Sequence, residues 1–270
     1  MARLERPDGV GLHWEERGGG PPVVLAPYSN FHPSVYDPIA AELVRDHRIV
    51  RYDDRGAGES SRKGPHDMNT GSADLAAVIE ASGGAAVIVG VGDATNRAVR
   101  VCAERPELVE AIVTPGGMPA GRDRLEGSEA MASSDTVVNA FLSMCETDYR
   151  GALRSLVTAG NPQMSEDEIR ERVGLQAEYQ PQETTVARLR AWVEDDALQP
   201  ARECGDRLWL LCAEAPGGGW FPSGREAVEL SRRLFPDAHV QQIEEGIVSR
   251  PDLTAGVVRR VTAPLRAAPA

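Results

Sequence analysis

Short apolar runs alternate with amphipathic stretches through the first 115 residues, and the same alternation returns after residue 206. Most runs are rich in Val, Ile and Leu, which predicts buried strands at residues 10–16, 22–26, 48–52, 85–89, 111–113, 207–212 and 239–243. Helical spacing predicts helices at residues 36–44, 72–82, 94–105, 225–235 and 253–266. Apolar strands separated by helices predict a mostly parallel central sheet, flanked by helices on both faces, and an α/β fold.

Between the two strand-bearing parts the pattern is helical, and no convincing strand interrupts it. Ser165 and Glu168 have the spacing of a capping box, which predicts a helix start. Leu189, Trp192 and Val193 have the spacing of one apolar helix face. We therefore predict an α/β core of residues 1–117 and 201–270, with an inserted helical cap of residues 118–200.

Composition narrows the range of partners. The net charge of −12 disfavours nucleic acid, because an acidic surface repels phosphate backbones. No run approaches the roughly 20 apolar residues of a membrane span, and the first residues include no apolar segment, so we expect a cytoplasmic protein without a membrane partner. Four widely spaced cysteines form no ligand cluster with histidine, so we expect reduced thiols, no metal and no cofactor; the sequence leaves the oligomeric state open.

Four local motifs resemble those of capped members of the α/β-hydrolase superfamily. They are the strand at residues 23–25 with the loop leading to Tyr36, the turn Asp-Asp-Arg-Gly-Ala-Gly-Glu-Ser at residues 53–60, the strand and turn at residues 87–94, and Glu-Arg-Pro-Glu at residues 104–107. The resemblance covers essentially the whole chain outside the cap. It implies an α/β-hydrolase fold with an active site at the carboxyl ends of the strands.

The turn at residues 87–94 resembles the nucleophile elbow, which has the pattern G-x-S-x-G in active members. Gly90 and Ala94 match the two small flanking residues, so the nucleophile position falls on Gly92. Glycine tolerates the bent backbone of the elbow but has no attacking atom. A shift by one residue would make Asp93 the nucleophile, as in dehalogenases or epoxide hydrolases, but Val91 and Thr95 are then poor matches for the small positions.

The other catalytic positions of the resemblance are also altered. Ile247 lies where the superfamily has its histidine, and no histidine follows His239. The acid is expected near Pro216, and Glu214 lies two residues too early. Because losing members of a Ser-His-Asp triad costs several powers of ten in rate, ordinary ester or amide hydrolysis is disfavoured.

Polar residues near the expected site are candidates for other chemistry. Asp93 and His32 are the catalytic candidates, as a carboxylate and an acid/base group; their simpler interpretations are a helix-capping acid and a solvated loop histidine. The candidates for substrate binding are Tyr28, Ser29, Asn30, Gly92, Glu214 and Trp220. For Ser29 and Asn30 the simpler interpretation is turn formation, and Glu214 and Trp220 can equally be plain loop residues.

Three functional hypotheses follow. The first is a cofactor-independent, non-hydrolytic enzyme that promotes elimination, cyclisation or isomerisation of a small, largely apolar substrate, as lyases and cyclases of the superfamily do, with secondary metabolism as its setting. The second is a catalytically inactive protein that binds a ligand or regulates a partner. The third is a hydrolase with a displaced catalytic set of Asp93 and His32. The resemblance by itself does not choose among them.

Overall fold

A single twisted sheet organises the chain in this computed structural model, which describes residues 2–119, 129–160, 163–214, 224–244 and 250–267. Within these ranges the sheet has eight strands in the order β1-β2-β4-β3-β5-β6-β7-β8. The strands are β1 Ala2–Glu5, β2 Gly11–Gly18, β3 Pro22–Leu25, β4 Arg48–Tyr52, β5 Ala86–Val89, β6 Val109–Pro115, β7 Leu208–Ala213 and β8 His239–Ile243. Strand β2 pairs antiparallel with β1 and with β4, and the neighbours in the series β4-β3-β5-β6-β7-β8 pair parallel.

Helices connect the parallel strands and cover the sheet. They are α1 Asp37–Leu43, α2 Met68–Ala81, α3 Asp93–Glu104, α4 Glu129–Thr147, α5 Tyr149–Gly160, α6 Glu166–Tyr179, α7 Gln182–Glu194, α8 Leu198–Cys204, α9 Gly224–Leu234 and α10 Pro251–Ala267. Strand β5 is fully buried, as a central parallel strand with helices on both faces should be. The mostly parallel sheet flanked by helices is therefore confirmed. Among the described helices, none combines the length and apolarity that a bilayer span demands.

Two elements depart from the sequence-based expectation. Strand β1 was not predicted, because its residues Ala-Arg-Leu-Glu are mostly exposed and it only pairs with β2 at the edge of the sheet. Helix α2 begins at Met68 instead of residue 72, since the Asp67 side chain accepts a hydrogen bond from the Thr70 backbone N–H and caps the helix there.

The helices α4 to α7 lie between β6 and β7 in sequence and are called the cap helices below. They share a hydrophobic cluster separate from that of the sheet, with Phe141, Leu153, Leu189 and Trp192 among its buried members. The capping box of Ser165 and Glu168 is present at the start of α6, as predicted. Helix α8 crosses the predicted boundary at residue 200 and packs beside α3, where Cys204 contacts the backbone of Val99.

Candidate functional site

The turn between β5 and α3 has an unusual backbone. Gly92 has φ 58° and ψ −127°, and α3 begins at the next residue. This φ lies in the region that glycine adopts freely and that other residues adopt only with strain. A sharp strand-to-helix turn of this kind is the setting in which the G-x-S-x-G motif presents a nucleophile. The backbone therefore has the shape of an elbow around a residue that carries no side chain.

Space around Gly92 differs from space around Gly90. Among the residues that the structure describes, a Cβ atom at Gly92 would meet one side-chain atom within 4 Å, Cζ2 of Trp192 at 3.9 Å. At Gly90 a Cβ atom would lie 3.2 Å from Cβ of Ala94, tighter than ordinary contact. The small residue at position 90 is therefore required by packing, whereas the glycine at position 92 leaves room that a side chain of an active hydrolase would use.

Four charged residues lie buried below this turn and are called the ion cluster: Asp54, Asp93, Arg97 and Arg188. Nη1 of Arg97 contacts Asp54 at 2.6 Å, and Nη2 of Arg188 contacts Asp54 at 2.5 Å and Asp93 at 2.8 Å. Nη2 of Arg97 completes the cluster at 3.3 Å from Asp93. Two carboxylates therefore balance two guanidinium groups, which is how buried charges are tolerated in a protein interior.

Arg188 joins the cap to the sheet through this cluster. It belongs to cap helix α7, whereas Asp93 and Arg97 belong to α3 and Asp54 follows β4. Nη1 of Arg188 also donates to the side-chain oxygen of Gln180, at 3.2 Å. Arg97 donates to the Tyr52 hydroxyl and to the Pro27 carbonyl. The cluster thus fixes the cap, the elbow helix and the ends of two strands relative to one another.

Four donor groups contact the carboxylate of Asp93. The Ser29 backbone N–H donates to Oδ1 at 2.7 Å, and the Ser29 hydroxyl lies 3.2 Å from Oδ2, in addition to both arginines. Burial acts to raise the pKa of Asp93, but Arg188, Arg97 and the Ser29 N–H outweigh it and lower the pKa below its usual value. Asp93 is therefore an ionised anchor at neutral pH and a weak proton acceptor.

His32 lies in the loop after β3 and is half-buried. Its Nδ1 accepts from the Ser34 backbone N–H at 3.2 Å, and the ring edge packs against Tyr179. Burial lowers the pKa of His32, and nearby charges only partly offset this. With Nδ1 accepting, the neutral ring carries its proton on Nε2. The described partner of His32 is Ser34, whereas Asp93 contacts Ser29 and arginine side chains. No described hydrogen bond or ion pair therefore joins these two predicted catalytic residues.

Tyr28 and Asn30 flank Ser29 in the same loop and are both buried. Burial and the charge of Asp93 raise the pKa of Tyr28, so its hydroxyl keeps its proton. Asn30 has φ 75°, and its Oδ1 is buried without a hydrogen-bond partner among the described residues. A strained residue with an unsatisfied buried acceptor is the kind of feature that concentrates at functional sites.

The other predicted site residues lie either at the edge of the sheet or outside the described residues. Glu214 is exposed, and its carboxylate accepts from the side chain of Gln242 on β8 at 2.7 Å, so the described contacts tie it to the sheet edge. Trp220, Ile247 and the expected acid position near Pro216 lie outside the described residues.

Sequence reasoning missed Arg188, Arg97 and Asp54 as parts of the site. An arginine on a helix face is ordinarily solvated, so Arg188 gave no signal of its own in the cap sequence. Asp54 lies inside the conspicuous turn motif of residues 53–60, where the sequence assigns it no role. A cavity of about 20 Å³ beside the cluster is lined by all four of its residues and by His66.

The sequence matches no protein-family model and no curated protein. Solved structures do match. A bromoperoxidase from Bacillus anthracis is 19% identical, with a TM-score of 0.75 and 98% of each chain covered. An esterase from Exiguobacterium antarcticum is 16% identical, with a TM-score of 0.77 over 98% of this chain and 99% of the other. An enol-lactonase from Burkholderia xenovorans LB400 is 17% identical, with a TM-score of 0.69 over 96% and 98%.

These similar structures are enzymes of the α/β-hydrolase superfamily. The chain therefore has the α/β-hydrolase fold. At identities below 20% the likeness establishes the fold and leaves the chemistry to the residues of the site.

Proposed function

We propose that this protein is a non-hydrolytic member of the α/β-hydrolase fold that binds a small, largely apolar molecule beside the elbow and converts it without a covalent intermediate or cofactor. The observation that carries the proposal is the bent backbone at Gly92, which keeps the elbow conformation without an attacking atom. The solved structures of this fold include several enzymes, which supports an enzymatic role.

The hydrogen bonding around the elbow also weighs against acyl transfer. Hydrolases of this fold stabilise the tetrahedral oxyanion with an N–H from the loop after the third strand and with the N–H that follows the nucleophile. Here the Ser29 N–H, which lies in that loop, is bound to the Asp93 carboxylate. A charged oxygen of the protein thus uses a backbone donor in the loop from which hydrolases of this fold bind the oxyanion.

Tyr28 and Asn30 are the proposed contacts for the polar part of the ligand. The protonated hydroxyl of Tyr28 can donate to a carbonyl or hydroxyl oxygen, and Oδ1 of Asn30 can accept from an O–H or N–H. Such a pair can polarise a carbonyl in an elimination, cyclisation or isomerisation. In this scheme Asp93 provides a fixed negative charge, and His32 provides an Nε2–H donor.

A second candidate function is ligand binding without turnover. The observation that favours it is the full engagement of Asp93, because a carboxylate held by two arginines and Ser29 is poorly suited to move a proton. A hydrolase that uses Asp93 with His32 is the least supported hypothesis, since no described contact joins the two side chains.

The experiment combines a thermal-shift screen of small apolar molecules bearing a carbonyl or hydroxyl with NMR of each stabilising compound. We expect at least one such compound to be chemically converted, with conversion lost in Tyr28→Phe and in Asn30→Gly, which retains the left-handed backbone. A fluorophosphonate probe should label neither the wild type nor these variants. Stabilisation without conversion would favour the binding function, and probe labelling or ester hydrolysis would overturn both.

A further inference from the structure

A larger cavity lies at the amino ends of the strands, away from the elbow. It has a volume of about 360 Å³, and residues 201, 202, 205 and 233–238 line it. These residues belong to the segments that lead into the amino ends of β7 and β8, whereas Gly92 follows the carboxyl end of β5. Because β5 to β8 pair parallel, the two places lie at opposite ends of the strands. This cavity, called the basal groove below, is therefore separate from the candidate site.

The lining of the basal groove combines apolar surface with two guanidinium groups. Ala201 and Phe235 are at most 2% exposed and belong to the hydrophobic core of the sheet. Arg202 and Arg233 are exposed residues that line the same groove. A cavity of this size with an apolar lining and a few charged groups is typical of a site for a small molecule.

One nitrogen of Arg202 holds its guanidinium beside the groove. The Nε–H of Arg202 donates to the carbonyl of Leu234, the last residue of α9, at 3.1 Å. The described contacts give no partner to Nη1 and Nη2 of Arg202, and none to the guanidinium of Arg233, the residue before Leu234. Arginine donors bind oxyanions in charge-assisted hydrogen bonds. The groove therefore offers two sets of such donors that the described residues do not use.

The charges of the lining indicate the kind of ligand. Asp237 contributes a carboxylate to the lining, so the two guanidinium groups leave the groove with one positive charge in excess. In a protein with a net charge of −12, this local excess is a place where an anion is attracted. A monoanion balances the excess, whereas a phosphate dianion leaves negative charge beside Asp237 and the apolar lining. The groove therefore matches a singly charged anion with an apolar part.

We propose that the basal groove binds a carboxylate that carries an apolar chain, such as a medium-chain fatty acid. The carboxylate accepts hydrogen bonds from Arg202 and Arg233. The chain lies along Ala201, Phe235 and Ala238, where it is removed from water. The inference uses no residue of the candidate site and is independent of the proposed function.

Isothermal titration calorimetry of the full-length protein with octanoate, octanol and inorganic phosphate tests the proposal. Octanoate shares its chain with octanol and its negative charge with phosphate. We expect octanoate to bind one to one and about tenfold more tightly than either of the others, because it alone supplies both the charge and the chain. In amide NMR spectra, octanoate should shift the signals of Gly205 and Ala238 and leave those of Ser29 and Gly92 unchanged.

Single substitutions test the two guanidinium groups. Arg202→Met and Arg233→Met should each weaken octanoate binding about five- to tenfold and leave octanol binding unchanged. Arg233→Met is the decisive variant, because Arg202→Met also removes the hydrogen bond to Leu234. Arg232→Met is the matched control, since Arg232 is exposed in the same last turn of α9 and is not part of the lining. It should change the Kd for octanoate by less than about twofold, and its thermal unfolding midpoint should match that of Arg233→Met.

Several outcomes overturn the proposal. Octanoate that does not bind below its micelle-forming concentration removes the site, and octanol or phosphate that binds as tightly removes the assigned ligand class. Octanoate that shifts the NMR signal of Gly92 but not that of Gly205 places the binding elsewhere. Equal weakening of octanoate binding by Arg232→Met and Arg233→Met shows that only the general charge of the surface matters.

Discussion

Replacing Arg188 with methionine tests whether the ion cluster stabilises the folded protein. The substitution keeps a long apolar side chain but removes the charge that contacts Asp54 at 2.5 Å and Asp93 at 2.8 Å. Two carboxylates then share one guanidinium, that of Arg97, in a place where all of these side chains are at most 8% exposed. An uncompensated charge remains in the interior, where water cannot solvate it.

The expected cost follows from this burial. Breaking a buried ion pair by removing one partner costs about 3–5 kcal/mol, mostly from the charge left behind. We expect Arg188→Met to lower the free energy of unfolding by about that amount in urea titrations followed by circular dichroism. Adding Asp54→Asn restores charge balance, so the double variant should recover about 1–3 kcal/mol of the loss.

The control lies on the same helix. Arg190 contacts Glu146 at 2.6 Å, but the Arg190 side chain is 59% exposed. Solvent and salt screen such a pair, and Arg190→Met should cost no more than about 1 kcal/mol. The reasoning is refuted if the two single variants are equally stable, or if Asp54→Asn makes Arg188→Met worse.

Three further predictions concern the elbow, the pH dependence of stability and His32. Gly92→Ala should lower the free energy of unfolding by about 1–3 kcal/mol through backbone strain, although the described residues leave space for its Cβ. Gly174→Ala, in the interior of α6 with no described atom within 4 Å of its Cβ, should be neutral or stabilising. Equal effects of the two substitutions in urea titrations would contradict the strain assigned to position 92. Because the pKa of Asp93 is lowered from 3.8, its contribution is complete above that pH and is lost as the pH falls through the folded-state value. Wild-type stability should therefore drop more steeply than that of Asp93→Asn below about pH 4, and parallel curves would count against the cluster. The imidazole of His32 should titrate below its ordinary 6.5 in NMR, and a midpoint at or above 6.5 would show that burial does not dominate.

The fold was accessible from the sequence because its signals are local. An apolar run such as residues 85–89 must be buried on both faces, and its alternation with helical spacing leaves few arrangements other than a covered parallel sheet. The elbow was equally local, since Gly90 and Ala94 mark a tight turn whatever surrounds it. The sequence also placed Asp93 and the Tyr28–Asn30 loop near that turn, although it left their roles open.

The ion cluster depended on the tertiary structure. Its members come from a strand end, the elbow helix and a cap helix, and Arg188 lies 95 positions from Asp93. Periodicity shows which face of a helix is buried, but it does not show which distant charge will meet that face. Only the packing of α7 over α3 brings the guanidinium of Arg188 to Asp93, and that contact turns a candidate base into a fixed ion. The sequence by itself therefore determined the fold and the glycine at the elbow. The packing of the cap helices decided the electrostatics of the site, because it brings Arg188 to Asp54 and Asp93.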